Sequence, residues 1–215
     1  MKKVVFITGT TSGIGESLMK TYLKRGDTVV AVNRSEFSFD APALLSIRGD
    51  VRDAGQVRRV FERLAEDGTS PDIFILNAGI FRVDISGGRL DGALFEEVME
   101  TNLNGALRIV AEGLKGGGGK KKVFVAVSST SNILPNPNAL GYYISKLGLT
   151  KSFEIFRKKF RAQAEFKTLI LGPIKTKMLG SGPMESRLQT LVRDAIAVPV
   201  EEAVEPIVRF IESGK

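Results

Sequence analysis

The sequence predicts an α/β fold: a doubly wound parallel sheet with helices on both faces, three layers in a single domain over residues 1–215. Three observations predict it. Val4–Ile7 is apolar on both faces and β-rich, as a parallel strand covered by helices must be. The run stops at Thr8-Gly9, and from Ile14 a helical period sets in, with Ile14, Leu18, Met19, Tyr22 and Leu23 on one side. Short apolar strands and amphipathic helices then alternate along the rest of the chain.

The first strand-to-helix turn, Gly9 to Gly15, includes Thr11, Ser12, Gly13 and Ile14. Without side chains at Gly9, Gly13 and Gly15, the backbone can tighten, approach a diphosphate and pack helix on strand. The free amides and dipole of the helix start then face the phosphates. A glycine-rich turn without a ligand is the plainer alternative, but strand, glycines and helix occur here in the order a dinucleotide requires.

The second strand, Thr28–Val32, ends at Asn33-Arg34. In a doubly wound fold this end meets the adenosine ribose, where a carboxylate accepts from a 2′-hydroxyl and an arginine accommodates a 2′-phosphate. Asn33 stands at the acidic position with Arg34 beside it, which favours NADP(H) over NAD(H). A third strand, about Leu44–Arg48, leads to Gly49-Asp50-Val51. Asp53 then reads as an N-cap with Gln56 as its capping-box partner. The helix behind it repeats Val57, Val60, Phe61, Leu64 and Ala65 at helical spacing. Ile73–Leu76 is the fourth strand and ends in Asn77-Ala78-Gly79.

From Asp91 to about Lys115 a helix carries two rows, Leu94–Val98 and Phe95–Met99–Leu103–Leu107; the first continues to Asn102 and Ala106. An amide on a buried face must find hydrogen bonds, either to tie two elements together or to hold a group beside a reaction centre. A glycine turn at 116–119 precedes the fifth strand, Val123–Val127, which runs into Ser128-Ser129-Thr130. After a loop with Pro135 and Pro137, a helix from near Leu140 places Tyr142 and Lys146 four residues apart on one face. The sixth strand, Thr168–Leu171, runs into Gly172-Pro173-Ile174-Lys175-Thr176, and an amphipathic helix spans about Val200–Glu212.

Composition narrows the chemistry. The chain has no cysteine and no histidine, which excludes disulfides, thiolate catalysis and imidazole acid–base work and leaves tyrosine, lysine and carboxylates. No metal is expected. The net charge of +7 is scattered apart from Lys120–Lys122 and a cluster at Arg157, Lys158, Lys159 and Arg161. Neither cluster is interleaved with aromatics, so no nucleic-acid partner is expected. No run approaches the ~20 apolar residues of a membrane helix. The apolar stretch behind Lys2-Lys3 breaks too early for a signal peptide, so a cytoplasmic location is expected.

Taken together, Thr-Gly-x-x-x-Gly-x-Gly at the first turn, Asp50-Val51, Asn77-Ala78-Gly79, Thr-Asn-Leu-Asn-Gly around Asn102, Ser129 and Tyr-x-x-x-Lys at Tyr142 resemble the short-chain dehydrogenase/reductase family. The separation of Ser129 from Tyr142 (142 − 129 = 13) resembles the family's spacing too. The resemblance covers roughly Lys2 to Met178 and implies a Rossmann-type dinucleotide fold. It implies that Asn102, Ser129, Tyr142 and Lys146 are catalytic, with Asn102 favoured over Asn104. It also implies that Asp50-Val51 meet the adenine, that Asn77–Gly79 line the cofactor, and that Lys146 binds the nicotinamide ribose as well.

A tyrosine of pKa ≈ 10 exchanges protons poorly near neutral pH, and a lysine on the same face is expected to lower that value. Tyr142 would then protonate a carbonyl oxygen that Ser129 holds in place, while Asn102 supports a water-linked proton path to Lys146. Tyr143 competes for this place but has Leu147, not a lysine, four residues on.

Two departures from the family matter. Its Pro-Gly after the sixth strand is Leu171-Gly172 here, with Pro173 displaced, while Ile174 and Thr176 keep the places that contact the nicotinamide carboxamide. No seventh strand follows the last helix, so a homodimer through Asp91–Gly113 and Leu140–Phe160 is expected rather than a tetramer. Residues 177–199 are expected to form a lid, and Phe81, Ile133, Leu134 and Met178 to line a pocket for a hydrophobic aldehyde or ketone. A non-catalytic NADP(H)-binding sensor or scaffold, and proton-only chemistry on the same scaffold, are the competing readings.

Overall fold

A computed structural model describes residues 2–115, 120–132, 137–178 and 195–214. Six parallel strands form one sheet: β1 (Val4–Thr8), β2 (Thr28–Asn33), β3 (Leu44–Arg48), β4 (Ile73–Leu76), β7 (Lys122–Ser129) and β8 (Ala164–Leu171). Their order is β3-β2-β1-β4-β7-β8, so the winding direction reverses between β1 and β4. At such a reversal the connections leave in opposite directions and open a crevice beyond the strand ends. β8 begins four residues before the predicted sixth strand, because its first half pairs with Lys122–Val125.

Alternation along the strands divides the core. Val5 and Ile7 of β1 join Leu18, Met19 and Tyr22 of α1 (Gly13–Lys24) and Val204, Ile207, Val208 and Ile211 of the last helix, α6 (Val200–Glu212). Phe6 points the other way, toward α2 (Ala54–Glu66), α4 (Gly105–Lys115) and α5 (Leu140–Lys159). Phe6, Phe74, Phe124 and Phe166 are register partners on four neighbouring strands. Their rings pack across the sheet with centroids 5.4, 4.6 and 5.2 Å apart. Such cross-strand aromatic pairs fasten the register as well as filling the layer.

The predicted long helix from Asp91 forms, with a change of winding inside it. α3 (Gly92–Met99) passes through a π-helical turn, Glu100–Asn104, before α4. Asp91 caps α3 by accepting from the amide of Leu94 at 3.1 Å. Asp53 caps α2 through the amides of Gly55 and Gln56. The Gln56 side chain reaches past the expected box: its nitrogen donates to Asp53 at 3.0 Å and its oxygen accepts from the Asp50 amide at 3.1 Å.

One element was absent from the sequence reading. β5 (Ile85–Ser86) and β6 (Arg89–Leu90) form a hairpin turned by Gly87 and Gly88, both at positive φ. The Gly-Gly pair is the signal that could have found it. The glycines of the 116–119 turn lie outside the described residues, as does the 179–194 part of the expected lid. Among the described residues no helix is long and apolar enough to cross a membrane.

Candidate active site

The turn after β1 is held by its neighbours. Gly9 has φ +73, and a Cβ there would lie 3.0 Å from the Cα of Ala78. At Gly15 a Cβ would stand 2.0 Å from the Gly9 carbonyl oxygen and 2.5 Å from the Asn77 side chain. The turn therefore excludes side chains at both places. Asn77 closes it by donating to the carbonyls of Thr8 at 3.0 Å and Gly9 at 2.8 Å. Thr8 Oγ1 accepts from the amides of Asn77 and Ala78. Ser12 precedes α1 without a side-chain cap, so first-turn amides of α1 have no side-chain acceptor from that position. Thr11 is exposed and Ile14 half-buried beside them. Gly13, at φ +60, would set a Cβ 3.2 Å from a methyl carbon of Thr176, so Thr176 leans over the helix start.

At the end of β2, Asn33 is buried, and its amide is engaged with Thr10: Oδ1 accepts from the Thr10 amide at 2.7 Å and Nδ2 donates to Thr10 Oγ1 at 2.9 Å. It latches the glycine turn. Arg34 is exposed and close enough to Asp50 to help hold its carboxyl below the usual carboxylate range. The larger cause is Arg52, whose guanidinium donates to both Asp50 oxygens at 2.7 to 3.1 Å. Val51 is buried against Gly105. Ile174 has its side chain buried in the core beside α6, and its strand bridge runs to Val198. Among the described residues, a Cβ at Gly172 would meet no atom within 4 Å beyond its chain neighbours.

At the ends of β4 and β7 the four remaining predicted residues converge. Asn102 lies in the π-helical turn, 1% exposed, and its amide spans the backbone of Ile80: Oδ1 accepts from N at 2.8 Å and Nδ2 donates to O at 2.9 Å. The same Nδ2 donates to Ser145 Oγ at 3.2 Å. Asn104 instead bonds Glu100 within its own turn. Gly79 lies between the Asn102 oxygen and the Lys146 amine, which a Cβ would approach to 3.3 and 3.5 Å. Lys146 is buried and donates to the Val127 carbonyl at 2.8 Å. Its Nζ lies 5.8 Å from the centre of the Tyr142 ring. Tyr142 stands near enough to Ser129 for that hydroxyl to favour the phenolate, and meets Phe81 edge-on, ring centres 5.2 Å apart.

Burial sets the electrostatics. It pushes the Tyr142 phenol up, against a hydrogen bond from Ser129 that favours the phenolate. The same cause pushes the Lys146 amine down to about 8. The expected lowering of the phenol by the lysine is thus corrected: burial raises it, and the group that opposes the rise is Ser129. Of the expected pocket residues, Phe81 reaches the phenol and Met178 is partly exposed, whereas Ile133 and Leu134 lie outside the described residues.

Residues 3–185 match the family model for short chain dehydrogenase. Among curated relatives, the 11-beta-hydroxysteroid dehydrogenase A of Sesamum indicum is 33% identical over 171 residues, 74% of this chain and 48% of that protein. This chain therefore spans about half the length of that relative. Two solved structures share the fold. A 4-hydroxyisoleucine dehydrogenase complexed with NADH superposes with a TM-score of 0.84 at 22% identity, over 99% of this chain and 91% of that one. A short chain dehydrogenase from Burkholderia cenocepacia J2315 in complex with NADP gives 0.81 at 23% identity, over 100% and 86%.

Proposed function

The chain belongs to the short-chain dehydrogenase/reductase family, and from that premise we propose that it is an NADP(H)-dependent oxidoreductase acting between a carbonyl and its alcohol. The observation that carries the reading is the convergence of Ser129, Tyr142 and Lys146 at one crevice, with Gly79 and Asn102 at its wall.

The residues present fit a dinucleotide. A turn in which two glycines admit no Cβ, set against a helix start that lacks a side-chain cap, suits a diphosphate. Gly9, Thr11, Ser12, Gly13 and Ile14 would hold it there, and Asn77, Ala78 and Gly79 would flank it along β4. Asp50 and Val51 would meet the adenine. Arg34, exposed where β2 ends, would take a 2′-phosphate; Asn33 contributes by latching the turn. Gly172, Ile174 and Thr176 would border the nicotinamide, Ile174 through its backbone. When bound, the nicotinamide supplies or accepts the hydride.

The chain's own groups handle the proton. A phenol held above its ordinary pKa keeps its proton near neutral pH, as a donor to a carbonyl oxygen must. Ser129 orients that oxygen by hydrogen bonding. Lys146 binds the ribose and favours the phenolate once the proton has left, and Asn102 supports its resupply through water. Phe81 against the phenol suits a small hydrophobic aldehyde or ketone. The reading includes a single domain and a cytoplasmic location. It also includes a homodimer through the helices around α3 to α5, where Ile155 is 64% exposed.

NADPH absorbance followed with a panel of carbonyl compounds tests the reading. Consumption that depends on the carbonyl is expected. NADPH that binds tightly but is consumed with none of them would favour a sensor.

A further inference from the structure

We propose that Asp84 is a positioning residue for Tyr142: it caps α5 from outside the helix and so fixes where the phenol stands. The proposal rests on Tyr142 being the proton donor. α5 lacks a cap of its own, since Ala139 has no side chain that could accept and leads into the helix at φ −129° and ψ 60°. First-turn amides of a buried helix start need an acceptor. Asp84, 56 and 57 residues earlier, supplies it: Oδ1 accepts from Leu140 at 2.8 Å and Oδ2 from Gly141 at 2.6 Å. The carboxylate is 1% exposed, and a negative charge is favoured at this end of a helix.

The backbone repeats the clamp. Asp84 and Ile85 donate to the carbonyl of Asn138, and Asp91 donates to that of Asp84, at 2.7 to 3.2 Å. The hairpin β5–β6 thus closes over the clamp at its base. The fit leaves no room for a side chain at residue 141: a Cβ there would lie 2.7 Å from Asp84 Oδ2 and 3.3 Å from the Phe95 ring. Tyr142 is the next residue. Its carbonyl accepts from Ser145 Oγ at 2.8 Å, and Ser145 is tied to Asn102. Three residues before Asp84, Phe81 packs against the phenol itself. The segment 81–84 therefore touches both the reacting group and the start of its helix. Ser129, the phenol's partner, stands on a different element, β7, so any slip of the first turn of α5 is felt between Ser129 and Tyr142.

Asp84→Ala and Asp84→Asn test this, because alanine removes both acceptors whereas asparagine keeps one and turns an NH2 toward the other amide. Asp84→Ala is expected to lower kcat about 10- to 100-fold, the scale of an ångström-sized misplacement. NADPH Kd and substrate KM should stay within about two-fold of the parent. Asp84→Asn should fall between the parent and Asp84→Ala. Unchanged kcat in a folded Asp84→Ala protein overturns the proposal, as does a parallel loss of kcat, KM and Kd, or an asparagine variant with the full rate of the parent. Gly141→Ala separates the same two groups while keeping the carboxylate. It carries the same expectation should Asp84→Ala fail to fold, and full kcat in it overturns the proposal.

A readout without substrate keeps this test apart from the carbonyl reductase reading. The Tyr142 phenolate absorbance, taken as the difference from a Tyr142→Phe protein, leaves out Tyr22 and Tyr143, the other two tyrosines of the chain. Its midpoint should move in Asp84→Ala and move less in Asp84→Asn. An unmoved midpoint in Asp84→Ala overturns the proposal even in a protein that reduces no carbonyl.

Discussion

The Lys146 Nζ stands 5.8 Å from the centre of the Tyr142 ring while donating to the Val127 carbonyl at 2.8 Å, so a strand end fixes the amine beside the phenol. Both groups are buried, and each is shifted toward its uncharged form, the phenol upward and the amine down to about 8. Placement and desolvation come from different elements, which is why they can be tested separately.

Tyr142→Phe removes the hydroxyl and keeps the ring against Phe81. Turnover should fall by at least about a thousand-fold, within the range for loss of a general acid, with NADPH Kd by fluorescence unchanged. Tyr143→Phe should remain active; loss only in that variant would move the role to Tyr143.

The buried Lys146 amine should tilt stability against pH. Its folded pKa, about 8, lies below the ordinary value of 10.5, so between those values the unfolded chain binds more protons and stability rises with pH. Below about pH 8 the full cost of burying the charge remains, on the order of 3 kcal/mol for a shift of that size. Urea unfolding at pH 7 and 9.5 should show Lys146→Met gaining stability at pH 7 relative to the parent and losing this part of the rise. Lys122, whose amine is also lowered by burial, contributes equally to both proteins and cancels in the difference.

Arg34→Ala should weaken NADPH about ten-fold or more, the scale of a charge-assisted contact to phosphate, and leave NADH nearly unchanged. Fluorescence titration with both nucleotides reads this directly. Equal losses for the two would remove Arg34 from the 2′-phosphate site.

Two glycines should respond in opposite ways. Gly15→Ala drives a methyl into the Gly9 carbonyl and should destabilise by about 3 kcal/mol or prevent folding. Gly172→Ala enters open space and should stay within about 0.5 kcal/mol. Thermal unfolding of the two variants measures the contrast, and similar midpoints would contradict this geometry.

The strands were legible because Val4–Ile7, Thr28–Val32 and Ile73–Leu76 are apolar on both faces, a pattern local to the chain. Tyr142 and Lys146 were legible as a pair because helical spacing alone puts them on one face. The latch of Asn33 to Thr10 was not legible because it joins residues 23 apart, which no periodicity reports. The π-helical turn and the part played by Asp84 likewise depend on contacts across 43 and 57 residues. The phenol's shift was misjudged for a related reason: spacing shows that a lysine is near but not how dry the space between them is.

The two amide latches, Asn33 on Thr10 and Asn77 on Gly9, leave the glycine turn with little freedom before any nucleotide arrives. Association then need not freeze a floppy loop, and that ordering entropy is not charged against affinity. Arrival is governed by diffusion through the field of a chain carrying +7. Added electrolyte would therefore slow capture of an anionic dinucleotide far more than it changes how long the complex lasts.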